Sequence, residues 1–136
     1  MRFKKVREIM TRGIITVGFE APILDVIKTM VKNDVTCVVA VSTNGEAMGV
    51  ISSTDIIKTL KNMSTEKIKP LKAEDVMTPF TIQIQPDDTI ENAIKLMVEK
   101  NVHRLVVLSP QFTGRKPVGI LSSTDLVREI YKDLAR

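Results

Sequence analysis

The chain has 136 residues, of which 43% are apolar and 26% are charged, and its formal net charge is +4. This composition is typical of a soluble globular protein, and it excludes a disordered tail, a collagen-like rod and a disulfide scaffold. No stretch approaches the roughly 20 apolar residues of a membrane span, and the first residues do not form a secretion signal, so we expect a cytoplasmic protein without membrane attachment. The single cysteine, Cys37, cannot form an internal disulfide.

The excess of positive charge lies at the N-terminus. Residues 1–12 contain five basic residues and one acidic residue, whereas the remaining chain contains 15 of each. The charge therefore forms a short basic arm and not a basic face. Such an arm is most often a solvated terminus, and nucleic-acid binding by this arm is a secondary hypothesis.

Taken in chain order, the first half of the sequence predicts a β-α-β-β-α unit that begins with a short amphipathic turn. Pro22 can start the first helix, because the N–H that proline lacks has no partner at that position. Asn44-Gly45 predicts a hairpin between two strands. The predicted elements are the turn 6–10, a strand 14–17, a helix from residue 22, strands 37–41 and 48–51, and a helix 54–61.

The second half repeats this pattern. Met10-Thr11 recurs 67 positions later as Met77-Thr78, whereas the Ser-Ser-Thr-Asp segment 52–55 recurs 70 positions later as segment 122–125. Three extra residues therefore enter the second copy near residues 110–117. We predict two units, residues 1–61 and 73–136, joined by a polar linker, residues 62–72.

Apolar residues at helical spacing predict that one face of each helix joins the core, and an acidic capping box at residues 88–91 predicts where the second copy's first helix begins. These stripes cannot all be covered by one pair of small units, so some should be buried between subunits of a homodimer. The stripes are Leu24, Ile27, Met30 and Val31 in the first copy, and Ile90, Ala93, Ile94, Met97 and Val98 in the second.

The two copies begin and end with the same motifs. Each opens with an apolar residue and Met-Thr, at residues 9–11 and 76–78, and each closes with a Gly-x-x-Ser-Ser-Thr-Asp segment, at residues 49–55 and 119–125. The chain resembles a tandem pair of cystathionine-β-synthase (CBS) domains, a Bateman module, over nearly its whole length. The resemblance implies an α/β (α+β) fold of two β-α-β-β-α CBS units packed about a pseudo-two-fold axis. Residues 102–107 also resemble the phosphate-contacting segment of the γ subunit of AMP-activated kinase.

The resemblance implies a regulatory module and not an enzyme. The family binds an adenosine ligand, namely AMP, ADP, ATP or S-adenosylmethionine, in the cleft between two units and transmits its level to a partner protein. Two modules commonly associate, which again implies a homodimer.

The resemblance also implies the residues of two ligand sites. In one site, adenine lies against Thr11, Thr16, Val35 and Thr36, Asp55 accepts hydrogen bonds from the ribose hydroxyls, and the phosphates are held by His103, Arg104, Ser122 and Thr124. The mirror site uses Thr78, Gln83, Val102 and Asp125, with Thr36, Cys37, Ser52 and Thr54 on its phosphate side. Because the mirror site lacks the His-Arg pair, we expect the multiply charged ligand to bind first at the other site.

Each of these residues also has a simpler interpretation. Ser52 and Asp55 have the spacing of a helix capping box, and His103 taken alone is typical of an ordinary surface histidine.

One His and one Cys exclude the usual zinc clusters, and neither common glycine-rich nucleotide loop occurs in the sequence. The remaining alternatives are a nucleic-acid-binding accessory protein that uses the basic arm, and a dimerisation module without a ligand.

Overall fold

A computed structural model describes residues 4–79, 82, 84–110 and 116–135. The chain folds into two compact units. The central unit is Ile15–Thr81, and the terminal unit combines Met1–Ile14 with Ile82–Arg136. The elements are, in chain order, α1 (Val6–Ile9), β1 (Thr16–Gly18), α2 (Ile23–Asn33), β2 (Cys37–Val41), β3 (Ala47–Ser52), α3 (Ser53–Asn62), α4 (Thr65–Ile68), α5 (Ala73–Val76), β4 (Thr78–Pro79), α6 (Ile90–Lys100), β5 (Arg104–Leu108), β6 (Pro117–Ser122) and α7 (Ser123–Leu134).

The central unit is built on a four-stranded sheet in the order β1-β2-β3-β4. β1 runs parallel to β2, whereas β2 with β3 and β3 with β4 are antiparallel. Its core combines side chains of the sheet with one face of each helix, and it includes Ile23, Val26, Val38 and Ile51. Ile68, from the segment predicted as a polar linker, also belongs to this core.

The terminal unit has the same plan with a shorter regular sheet. β5 and β6 form an antiparallel pair, Ile84 pairs in parallel with Val107, and Thr11 pairs antiparallel with Ile120. The core includes Val6 and Met10 from the N-terminal segment together with Ile90, Leu105 and Leu121. α1 is thus part of a packed core. A helix of four residues is too short to bury its own apolar side chains, so they are buried against the rest of the unit.

The helix stripes predicted from the sequence divide between core and surface. Ile90, Ala93 and Met97 are buried, as predicted. Leu24, Val31 and Val98 are 65%, 74% and 75% exposed, so the single chain leaves these stripe residues uncovered. Burial of some stripe residues between subunits, as expected from the sequence, stays a prediction.

Two helix starts also differ from prediction by one residue. Pro22 is the N-cap of α2 and the helix begins at Ile23. The cap of α6 is Thr89, whose hydroxyl accepts the Asn92 N–H at 3.1 Å, and not Asp88. Asp88 instead accepts the Gln85 N–H at 2.8 Å, which closes the preceding turn.

Candidate functional site

Each unit carries a reciprocal capping box where its last strand meets its last helix. In the central unit the Asp55 N–H donates to Ser52 Oγ at 3.2 Å and the Ser52 N–H donates to Asp55 Oδ2 at 2.8 Å. In the terminal unit Asp125 and Ser122 form the same two bonds at 3.1 and 2.9 Å. The capping interpretation is therefore confirmed in both copies, and it occupies one carboxylate oxygen, Oδ2.

The other carboxylate oxygen faces a threonine in both units. Thr78 Oγ1 lies 3.4 Å from Asp55 Oδ1, and Thr11 Oγ1 lies 3.4 Å from Asp125 Oδ1. These bonds are long for an O–H donor, so Oδ1 keeps the capacity to accept shorter bonds from a ligand. We call Ser52, Asp55 and Thr78 the central site, and Thr11, Ser122 and Asp125 the terminal site.

A close backbone approach brings each threonine to its aspartate. In the central unit, Thr78 of β4 pairs with Val50 of β3. In the terminal unit, the Thr11 N–H donates to Ile120 O at 2.8 Å, and the Ile120 N–H donates to Thr11 O at 2.9 Å. A glycine permits the approach in each unit. A Cβ on Gly49 would lie 2.7 Å from Thr78 O, and one on Gly119 would lie 3.0 Å from Thr11 O. The matching Gly and Met-Thr positions of the two copies are the sequence signal for this contact, which was not predicted.

The two threonines are exchanged relative to the grouping expected from the sequence. That grouping placed Thr11 with Asp55 and Thr78 with Asp125, whereas the structure pairs Thr11 with Asp125 and Thr78 with Asp55. The backbone pairing of each unit fixes this arrangement. Thr11 exchanges its backbone bonds with Ile120 of the strand that leads to Asp125, and Thr78 pairs with Val50 of the strand that leads to Asp55.

The remaining residues expected in the central unit lie around its strand ends. Thr16 begins β1 and is exposed, and Thr54 is exposed in the first turn of α3. Cys37 pairs with Ser52 in the β2–β3 register. Val35 and Thr36 line a pocket of about 430 Å³ between α2 and the start of α3, and neither Asp55 nor Thr78 lines it. We base the candidate site on the Thr–Asp pair, because both units form it.

In the terminal unit the structure brings three of the expected phosphate residues together. Arg104 begins β5 and pairs with Ser122 in the β5–β6 register, and the Ser123 N–H donates to His103 O at 2.9 Å. His103 is exposed and Arg104 is half-buried. Thr124 is exposed in the first turn of α7, and Val102 is half-buried just before β5. Gln83 lies outside the described residues.

A cation beside the terminal site was not predicted. Arg128 Nη1 lies 3.7 Å from Asp125 Oδ1, and the Arg128 side chain is 72% exposed. The i, i+3 spacing on α7 could have indicated this pair from the sequence alone. The corresponding residue of the central unit is Lys58, and among the described residues it forms no ion pair with Asp55.

The basic arm packs against the terminal unit. Lys4 forms an ion pair with Glu129, which is only 5% exposed, and both Lys5 and Arg7 pair with Asp87. The hydrogen bond to Lys4 is the main cause that lowers the pKa of Glu129, and the same bond raises the pKa of Lys4. The charge of the arm therefore complements acids of its own unit.

Two further classes of site receive no support in the described part of the chain. No group of three His, Cys, Asp or Glu side chains is arranged to hold a metal ion among residues 4–79, 82, 84–110 and 116–135. Over the same residues, no helix has both the length and the apolar character to cross a membrane.

Comparison with known proteins assigns both copies of the repeat to one family. The sequence model of the CBS domain matches the chain twice, at residues 6–62 and 73–132. The chain belongs to the CBS domain family. Because the two matches cover both copies, it is a tandem CBS domain pair, as the sequence resemblance predicted.

Solved CBS domain pairs share the fold of this chain. The CBS domain pair of protein MJ0100, solved with 5′-methylthioadenosine and S-adenosylmethionine, is 25% identical, has a TM-score of 0.80, and is matched over 96% of this chain and 98% of that one. The CBS domain protein PAE2072 from Pyrobaculum aerophilum, solved with AMP, is 23% identical with a TM-score of 0.79, over 97% and 98% of the two chains.

Sequence relatives differ widely in length. The uncharacterised protein MJ1426 of Methanocaldococcus jannaschii is 28% identical over 92% of this chain and 90% of its own length. The CBS domain pair also matches a homoserine O-acetyltransferase of Methanohalobium evestigatum, at 27% identity over 92% of this chain, but it spans only 24% of that protein. Other relatives from Methanocaldococcus jannaschii are spanned over 62% and 29% of their length.

Proposed function

We propose that this CBS domain pair is a non-enzymatic sensor that binds an adenosine ligand and transmits its level to a partner protein. The observation that carries the proposal is the Thr–Asp pair, which both units form independently. The adenosine ligands of the MJ0100 pair and of PAE2072 support the ligand class. AMP, ADP, ATP and S-adenosylmethionine are the candidates.

Ribose recognition follows from the chemistry of the aspartates. A carboxylate is an acceptor only, and a ribose offers two neighbouring hydroxyl donors. Oδ2 of Asp55 and of Asp125 is held by the helix cap, which fixes the orientation of the carboxylate. Oδ1 is the oxygen that we assign to the ribose hydroxyls, with Thr78 or Thr11 as the neighbouring polar group.

Phosphate recognition is assigned to the start of β5. Arg104 offers a charged planar donor group that matches phosphate oxygens, and Ser122 lies opposite it in the hairpin. The corresponding residue of the central unit is Cys37, opposite Ser52. We therefore infer that Arg104, with His103 beside it, favours a ligand that carries phosphate, and that the two ligand sites have unequal affinity.

The nucleic-acid alternative is weakened by the ion pairs of the arm. Lys4, Lys5 and Arg7 already face Glu129 or Asp87, so a polyanion would have to displace these carboxylates.

The dimerisation alternative agrees with the exposed apolar residues on the helices, and we propose a homodimer in addition to ligand binding. Large apolar side chains are exposed on α2, α3, α6 and α7, including Leu24, Val31, Ile57, Val98, Val127, Tyr131 and Leu134.

A melting-temperature screen tests the function and separates these alternatives. The probes are AMP, ADP, ATP, S-adenosylmethionine, NAD and a short oligonucleotide. A ligand at 100 times its dissociation constant stabilises the folded state by about 2.7 kcal/mol, which raises the melting temperature of a domain this size by several degrees. We expect such a rise with at least one adenosine ligand. A rise with the oligonucleotide alone would favour the accessory-protein alternative, and no rise with any probe would favour the ligand-free dimerisation module.

A further inference from the structure

The basic arm is attached to the terminal unit along its whole described length. Lys4 pairs with the buried Glu129, and Lys5 and Arg7 pair with Asp87. Backbone bonds alternate with these ion pairs. The Ile90 N–H donates to Lys4 O at 3.2 Å, and the Val6 N–H donates to Asp88 O at 2.9 Å. The segment is therefore held by charges at one end and by its core residue Val6 in the middle.

The far end of the same segment supplies a residue of the terminal site. After α1, Met10 packs against Gly119, and Thr11 forms its two backbone bonds to Ile120. Only one residue separates the end of α1 from Thr11, so a shift of α1 moves the Thr11 hydroxyl relative to Asp125.

The corresponding segment of the central unit is attached without such charges. The Ala73 N–H donates to Ala21 O and the Glu74 N–H to Phe19 O, both at 2.8 Å, and Ala73 and Val76 belong to the core. Among the described residues, the one ion pair of residues 69–79 links Lys69 to Glu66, three residues earlier in the chain. No ion pair in the described part of the central unit joins this segment to β1, α2 or α3. The two Thr–Asp pairs are alike, but only one is supported by ion pairs.

We propose that Lys4, Arg7, Asp87 and Glu129 are positioning residues for Thr11, and that they make the terminal site sensitive to ionic strength while the central site is not. Salt screens exposed charges, and the side chains of Lys5, Arg7 and Asp87 are about half-exposed. The pair of Lys4 with Glu129 is screened less, because Glu129 is buried. Salt should therefore loosen the Asp87 contacts first.

The first test measures, without any ligand, how firmly the arm is held against the rest of the terminal unit. Amide hydrogen exchange is followed by NMR in wild type and in the double variant Asp87→Asn with Glu129→Gln. We expect the Thr11 and Ile120 amides to exchange at least about three- to tenfold faster in the variant, which is the change expected from the half-exposed Asp87 pairs alone, with the Ala73 and Glu74 amides unchanged. Glu66→Gln is the matched control, since it removes an ion pair that supports neither site.

Two results of the exchange experiment would overturn the proposal. Unchanged exchange at Thr11 and Ile120 would show that the ion pairs do not hold the arm. Equal acceleration in both units would show a general loss of stability and no positioning. If the double variant does not fold, Asp87→Asn alone gives the same test, because Asp87 is on the surface.

The second test measures binding and rests on the proposed function. AMP is titrated calorimetrically at low and high salt, and the two sites are told apart with Asp55→Ala and Asp125→Ala. We expect the double variant to bind AMP about three- to tenfold more weakly at the terminal site alone. The affinity of that site should also depend less on salt than in wild type. A weakening of both sites alike would contradict the proposal. If wild type does not bind AMP, the proposed function loses its support while the exchange experiment still decides the role of the arm.

Discussion

At the scale of single residues, each aspartate has two roles that a substitution can separate. Asp55 caps α3 through Oδ2 and is assigned to ribose through Oδ1. We expect Asp55→Ala to weaken the binding of an adenosine ligand at the central site by about 1.5–3 kcal/mol, the value of a hydrogen bond to a charged group. Loss of the cap should also lower the free energy of unfolding by up to about 1 kcal/mol. Calorimetry and urea unfolding measure the two effects, and Asp25→Ala, exposed on α2, is the control. A variant that is destabilised but binds normally would leave Asp55 with the capping role alone.

The close contact at Gly49 leads to a prediction that does not depend on any ligand. A Cβ at this position would lie 2.7 Å from the backbone oxygen of Thr78, which cannot move without breaking β4. We expect Gly49→Ala to lower the free energy of unfolding by about 1–3 kcal/mol, as overpacking does elsewhere. Gly18→Ala is the control, because a Cβ there meets nothing within 4 Å, and its effect should stay within about 0.5 kcal/mol. Equal effects of the two substitutions in urea unfolding would contradict the contact.

At the scale of elements, the contact of α1 with α7 predicts a dependence of stability on pH. The pKa of Glu129 is lowered from its ordinary value near 4.5 by the hydrogen bond to Lys4. A carboxylate with a lowered pKa stabilises the folded state above its unfolded pKa, and this contribution is lost as the pH falls through the folded value. We expect Glu129→Gln to be less stable than wild type at pH 7, and the difference to shrink as the pH falls below about 4.5. Urea unfolding at several pH values measures this, and a difference that is constant with pH would contradict the ion pair.

The elements also show how far the sequence could predict the structure. The repeat located every long helix and strand, because apolar periodicity and the Ser-Ser-Thr-Asp caps are local signals. The exchange of Thr11 and Thr78 could not be predicted from those signals, since both copies carry the same Met-Thr and Gly residues and either pairing satisfies them. The partners of the basic arm were missed for a similar reason. Asp87 and Glu129 lie 80 or more residues away in the chain, and only the tertiary fold brings them to Lys4 and Arg7.

At the scale of the whole molecule, the exposed helix faces predict association. Val31 and Val127 are 74% and 63% exposed, and a single polypeptide leaves both without a covering layer. We expect sedimentation to show a homodimer at tens of micromolar, and Val31→Glu or Val127→Glu to shift it towards the monomer. Lys67→Glu, exposed on α4, is the control. A wild type that stays monomeric at that concentration would contradict the proposal of a homodimer.

We propose that Asp55 and Asp125 hold the ribose of an adenosine ligand. The most direct measurement is a calorimetric titration of the wild-type chain with AMP and with its 2′,3′-dideoxy analogue, which lacks both hydroxyl donors and keeps the base and the phosphate. We expect the analogue to bind roughly ten- to a hundredfold more weakly, since a carboxylate loses its partners in the complex. Equal affinity for the two ligands would contradict the claim, and it would show that the Thr–Asp pair serves only the fold.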